Sequence, residues 1–520
     1  MRLSELMQGL PVLWAQGDAE ITGIGVDSRK VQPGDLFVAI VGRTYDGHQF
    51  IHDALARGAA AVVTQHMPTD AEVNAPAMYV VPDTRDALWR IAQRFYGDPS
   101  RQMLTIGVTG TNGKTTTTHM LQKILVAWCK PTLIVGTLGA WIEYPDGKRL
   151  TLAHEGEFTT PEVYQLQSLL KAASEHGAQA VVMEVSSHAL DQQRADGIHF
   201  DAAVFTNLTQ DHLDYHGTME AYAQAKLRLF TDLAEQSAKP FKAIINLDDA
   251  WGNQFAAKAR EAVYTYGQSE SAQVQATRVE YGLDGIRFEV RSPLLKSVSE
   301  AEASHDGANH LPVGVSGALA FRLSLLAPYN LNNALAAVAT ALALEVPLEV
   351  IQRGLASLEQ VAGRFQRVPL NAEYEVIVDF AHTPDALQRV LQAGRMLNPT
   401  RLTVLFGCGG DRDATKRPIM GKLAAELADR VILTSDNPRT EPPEAILEQI
   451  LAGIPAELRP KVVRVDADRR RAIEYALNTA QPGELILLAG KGHEPYQIVG
   501  TEKLPFSDIE VAKEVAGAKR

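Results

Sequence analysis

The sequence predicts an α/β protein of three domains, and three observations carry that expectation. At 520 residues the chain has room for about three units of about 150 residues, each with its own core. Short apolar runs alternate with helical patterns along most of its length, as parallel sheets covered by helices require. At 107–115 a glycine turn separates one such run from a helix, which is how a doubly wound sheet opens.

Residues 1 to about 100 alternate strand-like runs (DLFVAI, AAVVT, MYVV) with helical patterns (HDALARG, DALWRIAQRFYG), and GDPS at 97–100 ends that unit. MLTIGV then reads as a buried strand, GTNG as a turn and KTTTTHMLQKILVAW as a helix. AVVMEV, AAVFTN and KAIINL continue the sheet. From 261 to 325 strands follow one another with little helix, interrupted by the polar stretch SVSEAEASHDGANHLP, expected to be an exposed hairpin loop or a disordered insertion. An Ala-rich helix, NNALAAVATALALE, comes next. Near VAGRF a third α/β unit begins, with strands at VIVDFAH, LTVLFGC, RVILTS, KVVRV and LILLAG.

Composition limits the function classes. A formal net charge of -12 disfavours chain-wide binding of a polyanion, so no nucleic-acid partner is expected. Two cysteines, Cys129 and Cys408, are too few for a disulfide framework or a metal knuckle, which fits a reducing cytoplasm. No apolar run is long enough for a transmembrane span, and MRLSELMQGL lacks the pattern of a secretion signal, so a cytoplasmic protein without stable membrane insertion is expected.

The turn Gly110-Thr111-Asn112-Gly113, followed by Lys114, Thr115 and Thr116, suits a phosphate cradle. Backbone N–H groups and the helix dipole favour an anion there, Lys114 neutralises β- and γ-phosphates, and the Thr115 hydroxyl is placed for Mg²⁺. Val108 stands where the usual phosphate-loop pattern has its first glycine; the bland alternative is an ordinary strand–helix turn. Later strands end in Glu184, in Asn207 and in a cluster of Asp211, His212, Asp214 and His216. In an open α/β sheet such strand ends converge, so these groups can meet the phosphate loop. Glu184 offers Mg²⁺ a hard oxygen; His212 is a less typical ligand, with capping or hydrogen bonding as its alternative.

GVTGTNGKTTT, MEVSSHALDQQR, TNLTQDHLDYHG, AYAQAKLRLF, YNLNNALAA, GRFQRV, DFAHTPDAL, FGCGGDRDATKRP, SDNPR and AGKGHE occur in an order that resembles the Mur ligases of bacterial cell-wall synthesis, over almost the whole chain except 294–312. The resemblance implies a UDP-binding N-terminal domain (1–101), a central P-loop-type ATPase domain with a mainly parallel sheet (102–362), and a C-terminal Rossmann-like domain that binds the incoming amino acid (363–520). It also implies ATP-dependent amide formation through an acyl phosphate. The implied partners are ATP, UDP-N-acetylmuramoyl-L-alanyl-D-glutamate and meso-2,6-diaminopimelate.

Residue by residue, the resemblance makes Lys114, Glu184, His212 and Lys226 catalytic, with Thr115, Glu184, His212 and a CO₂-carbamylated Lys226 on Mg²⁺. Without it, Lys226 reads as an exposed lysine on an amphipathic helix. Asn330, Asn333, Arg364 and Asp379 join Gly110–Thr116 around ATP; helix capping for the asparagines and a turn role for Asp379 are the alternatives. His382 is either near the ATP site or a capping histidine. Val26, Ser28, Arg43, Thr44 and Tyr45 are implied for the UDP end of the substrate, and Thr159, Thr160, Ser186, Gln192 and Arg194 for its peptide. Phe158 stands where the family often has Asn. Arg412, Asp436, Asn437, Arg439, Gly490 and Glu494 are implied for diaminopimelate, whose far carboxylate a bidentate Arg439 would read and whose ammonium Glu494 would pair.

Three other functions stay open from sequence. DNPR argues against a lysine-adding ligase, and the N-terminal segments argue against a folylpolyglutamate synthase. A nonhydrolytic nucleotide-binding switch is the alternative from another class. The N-terminal domain lacks a dinucleotide fingerprint, which disfavours a dehydrogenase.

Overall fold

The computed structural model describes residues 1–42, 45–67, 75–152, 159–282, 284–295 and 318–517. Arg43, Thr44, Phe158 and most of the polar 294–312 insertion lie outside the described residues.

Three layered sheets carry the chain. The first has the order β1-β5-β4-β3-β2, formed by β1 (Trp14–Gln16), β2 (Gly23–Gly25), β3 (Asp35–Val38), β4 (Ala61–Thr64) and β5 (Met78–Val80). All neighbours are parallel except β1 with β5. The amphipathic helix Thr84–Tyr96 covers one face, started by Asp83, whose carboxylate accepts from the N–H groups of Arg85 and Asp86, and ended by Gly97 at φ 80°.

The central sheet has eleven strands: β6 (Leu104–Thr109), β7 (Thr132–Gly136), β8 (Gly139–Glu143), β9 (Arg149–Thr151), β10 (Ala180–Glu184), β11 (Ala202–Phe205), β12 (Lys242–Asn246), β13 (Ala262–Gly267), β14 (Val274–Gly282), β15 (Gly285–Arg291) and β16 (Ala318–Leu323). From β7 through β10, β6, β11, β12 and β13 to β14 the pairs are parallel, with antiparallel hairpins at both edges. The central parallel strands β6, β7, β10 and β11 are almost wholly buried and mostly apolar because both faces are covered. Helices Lys114–Ala127 and Asn330–Ala343 cover one face; Val163–Glu175 and Met219–Leu227 cover the other. The chain leaves β6 for β7, returns to β10 between them, then crosses to β11, so the strand order reverses at β6. That reversal opens a crevice beyond the carboxyl ends of β10, β6 and β11. Their last residues are nearly level, Glu184 opposite Val108 and Phe205 opposite Thr109.

The third sheet runs β17-β18-β22-β19-β20-β21, from β17 (Gln366–Val368), β18 (Glu375–Asp379), β19 (Arg401–Phe406), β20 (Arg430–Thr434), β21 (Val462–Asp466) and β22 (Glu484–Ala489). It is parallel apart from β17. A hairpin, β23 (Tyr496–Val499) and β24 (Glu502–Pro505), stands outside it. The sequence does not foretell β1, β2, β7–β9, β17 or this hairpin; the strands it does name appear.

Candidate active site

The glycine loop follows β6 directly. Val108 is a buried strand residue, so the turn begins at Gly110, whose φ is 151° and whose Cβ would lie 1.8 Å from the Thr206 hydroxyl. Gly113, at φ 87°, caps helix Lys114–Ala127 without a side chain, and a Cβ there would lie 2.3 Å from Asn333 Oδ1. The loop is anchored from β11: Asn112 N–H donates to Asn207 Oδ1 at 2.9 Å, Asn207 Nδ2 to Asn112 O at 3.0 Å, and the Thr206 hydroxyl to the same carbonyl at 2.6 Å. The helix's first amides lack intrahelical acceptors, which is an anion site by geometry.

Lys114 Nζ donates to the carbonyls of Gly110 and Thr111 at 2.8 and 2.9 Å. Burial pushes its pKa down, opposed by Glu184 and Asp211. Lys226 is 1% exposed, which overturns the exposed-helix alternative. Its Nζ donates to Gly110 O at 2.9 Å and lies 4.6 Å above the Tyr222 ring; burial first, then Lys114, hold it well below the lysine range. Glu184, also 1% exposed, accepts from Thr137 N–H at 2.9 Å and the Thr137 hydroxyl at 3.2 Å. His212, at φ 54°, lies 3.5 Å from Asp211 and edge-on to His188, with burial lowering its pKa. It does not cap the short helix that follows through its side chain.

Across the crevice, Arg364 Nη2 donates to the Thr115 hydroxyl at 3.1 Å, while its buried Nε has no partner among the described residues. A guanidinium so placed is fitted for an anion. Asp379 accepts from the N–H groups of Phe365 at 2.6 Å and Ala381 at 2.8 Å, and burial raises its pKa to about 6. Neither asparagine caps its helix: the cap is Tyr329, and Asn333 Nδ2 donates to Asn330 Oδ1 at 3.0 Å. His382 is not a cap either, since Thr383 receives the Ala386 N–H.

Thr159, Thr160, Ser186, Gln192 and Arg194 form one network. Thr159 meets Thr137 hydroxyl to hydroxyl at 3.2 Å, the Thr160 hydroxyl donates to Glu184 O at 2.9 Å and receives Ser186 N–H, and Arg194 donates to Thr160 O and Gln192. Ser28 is buried in a single turn after Asp27, Val26 is half-buried and Tyr45 is 71% exposed. Among the described residues no hydrogen bond joins these three to the network.

Beyond β19, β20 and β22 lies a second pocket. Arg439 sits at φ 51°, donates from Nη1 to Gly410 O at 2.8 Å, and makes no ion pair among the described residues. A Cβ on Gly409 would lie 3.0 Å from Arg439 Nη1 and 3.7 Å from Arg412 Cγ, so the two side chains pass the same glycine; burial and then the charge of Arg412 lower the Arg439 pKa. Buried Asp436 and Asn437 lie beneath. Asn437 Nδ2 donates to Glu494 Oε2 at 2.9 Å, and Gly490 leaves room for Asp436, whose carboxylate a Cβ would approach to 2.4 Å.

The chain matches models of the Mur ligase family catalytic domain (residues 20–96), the Mur ligase middle domain (108–341) and the Mur ligase, glutamate ligase domain (363–492). It is 44% identical over 528 residues to the UDP-N-acetylmuramoyl-L-alanyl-D-glutamate--2,6-diaminopimelate ligase of Gloeobacter violaceus, covering 100% of this chain and 99% of that one. The chain belongs to the Mur ligase family. A solved structure of a ligase with the same printed name superposes with a TM-score of 0.63 at 33% identity, covering 96% of this chain and 95% of the other. MurF ligase from Thermotoga maritima in complex with ADP shares the fold, with a TM-score of 0.61 at 19% identity over 96% and 98% of the two chains.

Sequence reasoning misses several residues of this Mur ligase. His188 packs among His212, Tyr215 and His216, where burial lowers its pKa to about 4. Lys491, fully buried, donates to Asn437 Oδ1 at 3.1 Å and Glu494 Oε2 at 3.0 Å; its place inside AGKGHE was the available signal. Gln497 donates to Asp436 O at 2.6 Å, and Arg439 N–H pairs with Ile498 O, so β23 walls the second pocket. Buried Arg469 pairs with Asp508 and donates to the carbonyls of Ser435 and Ala489, bracing that pocket from behind. One further His/Asp cluster, Asp46, His48 and His66, has ligand-like spacing. His48 Nε2 accepts the Gln65 N–H at 3.0 Å while Nδ1 meets Asp46 at 2.6 Å, so both ring nitrogens are already engaged.

Proposed function

We propose that this Mur ligase joins meso-2,6-diaminopimelate to UDP-N-acetylmuramoyl-L-alanyl-D-glutamate in peptidoglycan synthesis, coupled to ATP cleavage and passing through an acyl phosphate. The observation that carries the specificity is Arg439, a half-buried guanidinium whose partners are carbonyls, beside Arg412. A lysine ligand would leave that cationic corner empty; the far carboxylate of diaminopimelate fills it. Glu494 lies across the pocket for the ammonium, with Asp436, Asn437 and Gly490 forming the floor.

Residues 1–101 take the UDP end through Val26, Ser28, Arg43, Thr44 and Tyr45, 102–362 the ATP and the peptide, and 363–520 the amino acid. ATP lies over Gly110–Thr116, with Asn330, Arg364 and Asp379 closing the crevice. The substrate carboxylate and the γ-phosphate are both anions. Lys114 therefore supplies positive charge where it develops in transfer. Thr159, Thr160, Ser186, Gln192 and Arg194 hold the peptide carboxylates near Glu184.

The residues fit Mg²⁺. Glu184 and Thr115 offer hard oxygens at the loop, and two protein oxygens plus phosphates and water is the usual Mg²⁺ environment. His212 is a third donor nearby. Bound there, the ion neutralises phosphate charge. Lys226 fits carbamylation: burial disfavours its charged form, it has no carboxylate partner among the described residues, and the neutral amine is nucleophilic toward CO₂. Its carbamate would add an anion for a second Mg²⁺. Among the described residues no helix is long and apolar enough to cross a membrane, and we place the reaction in the cytoplasm.

The test is phosphate release with a panel of amino acids and mass detection of the UDP product. Release only when UDP-linked dipeptide, ATP and diaminopimelate are together supports this reading. Equal use of lysine, or hydrolysis without an amino acid, refutes it.

A further inference from the structure

Amide formation needs a step that the residues placed so far do not supply. An incoming amino acid carries its α-nitrogen as an ammonium with no lone pair, so a proton must leave before attack. His382 stands between the two half-sites. It follows β18 at the sheet's carboxyl edge, and its Nδ1–H donates to Phe380 O at 2.9 Å, which leaves the lone pair on Nε2. Lys416, the first residue of the helix Lys416–Leu427, donates from Nζ to the His382 carbonyl at 2.9 Å. That helix follows the Gly409–Arg412 loop of the amino-acid pocket. Three residues after His382, Asp385 accepts from Asn112 Nδ2 of the glycine loop at 2.9 Å. The segment 380–385 thus spans from one half-site to the other, with His382 between its anchors.

The ring is exposed, yet charged groups of two units act on it: Asp211 from the central unit, and Asp436 and Lys416 from the C-terminal one. A ring that feels charges of both units lies on the side of the C-terminal unit that faces the central one. Desolvation by the groups packed around it, then Lys416, lowers the imidazole pKa, against the raising effects of Phe380 O, Asp211 and Asp436, which favours the neutral ring.

We propose that His382 is a further catalytic residue, the base whose Nε2 takes the proton from the attacking α-ammonium. The inference rests on the ligase reading above. The ammonium N–H breaks, its electron pair stays on nitrogen, and the proton moves to Nε2. The amine attacks the acyl carbon; the C–N bond forms and the C–O bond to phosphate breaks with its pair. The second nitrogen proton leaves with the phosphate, which departs as hydrogen phosphate.

Hydroxylamine separates the steps, because at pH 7 it is largely uncharged and attacks an acyl phosphate without a base. Wild type, His382→Ala and His382→Gln are compared with UDP-linked dipeptide and ATP, using diaminopimelate or hydroxylamine as the nucleophile. The variants should make the amide at least about 100-fold more slowly, the usual contribution of a positioned base. Their hydroxamate yield should stay within about threefold of wild type, which also shows an intact fold and an intact acyl-phosphate step. Amide formation by the variants should rise about tenfold per pH unit, following the free amine, while wild type changes less. Hydroxamate falling in step with the amide, or an amide rate within about threefold of wild type, would overturn the proposal. A wild type that makes neither product refutes the ligase reading instead.

Discussion

Lys114 and Lys226 share one acceptor: both nitrogens lie on the carbonyl oxygen of Gly110, at 2.8 and 2.9 Å. Two cations on one oxygen repel each other, and burial disfavours both charges. Lys226 is the deeper and the more strongly shifted of the two. Its conversion to a carbamate would exchange this repulsion for attraction to Lys114.

Removing that nitrogen should therefore remove an anion from the working site. Lys226→Ala is expected to lose at least about 100-fold in phosphate release, comparable to losing one preorganised electrostatic contact. A short carboxylic acid should restore part of it. In crystals of active enzyme equilibrated with CO₂, an unmodified Lys226 would refute the carbamate.

In the proposed reaction Lys114 has the opposite task. If it is the cation nearest the transferring phosphoryl, Lys114→Ala should lower turnover by at least about 1,000-fold with the fold retained. Its thermal midpoint should change little or rise, because a half-buried charge is removed. Phosphate release near the wild-type rate by a folded variant would contradict the role.

Asp385 ties the C-terminal unit to the glycine loop through Asn112 at 2.9 Å and the Thr209 hydroxyl at 3.3 Å, with Arg389 holding its carboxylate at 3.0 Å. Hydrogen bonds to a charged group are worth about 1.5–3 kcal/mol, so Asp385→Ala should cost about 10- to 150-fold in kcat/KM. Combining it with Asn112→Ala should add little to Asn112→Ala alone. Independent, additive losses would show that the contact does not couple the two units.

That contact also marks where sequence reading stops. The phosphate loop and the polar strand ends were legible because each depends on neighbours a few residues away: glycines that allow Gly110 and Gly113 their conformations, and apolar runs that stop at Glu184 and Phe205. Lys226 misleads without the family pattern, since an alternating helix hides which face packs inward. Asp385, Gln497 and Asp508 act across 273, 61 and 39 residues of chain, separations that no local pattern records. Hairpin β7–β8 escaped notice because β10, later in the chain, inserts between β6 and β7, a placement decided by sheet order rather than by composition.

His493 gives the site a pH limit. Burial first, then Arg364 and Lys491, lower its pKa from 6.5 to about 4, and its buried Nδ1 has no partner among the described residues. Between those values the unfolded chain binds a proton that the folded one excludes. Stability should thus fall as pH drops from about 6.5 to about 4 and level off below, by an amount on the order of 2 kcal/mol after screening. His493→Gln should flatten that part of the profile. Equal losses of thermal midpoint for wild type and variant across this window would rule His493 out as the source.

The proposed function makes Arg439 the residue that decides between substrates. If its guanidinium pairs with the far carboxylate of diaminopimelate, Arg439→Ala leaves that carboxylate facing Arg412 alone. Breaking a buried pair costs about 3–5 kcal/mol and an exposed one at most about 1 kcal/mol. Half-buried Arg439 should fall between, at about 2–3 kcal/mol, or roughly 30- to 150-fold in kcat/KM for diaminopimelate. Lysine has no far carboxylate and should lose much less, so the preference ratio should collapse. Arg439→Lys should recover only part, because a point charge cannot reproduce the planar fork. The measurement is kcat/KM for both amino acids with each variant. The backbone supplies the competing explanation: Arg439 N–H pairs with Ile498 O, and its carbonyl receives Gly500 N–H at φ 51°. Those bonds survive truncation of the side chain, so a loop merely loosened at Arg439 would lower both substrates in equal proportion, and that outcome would end the claim that this residue reads the carboxylate.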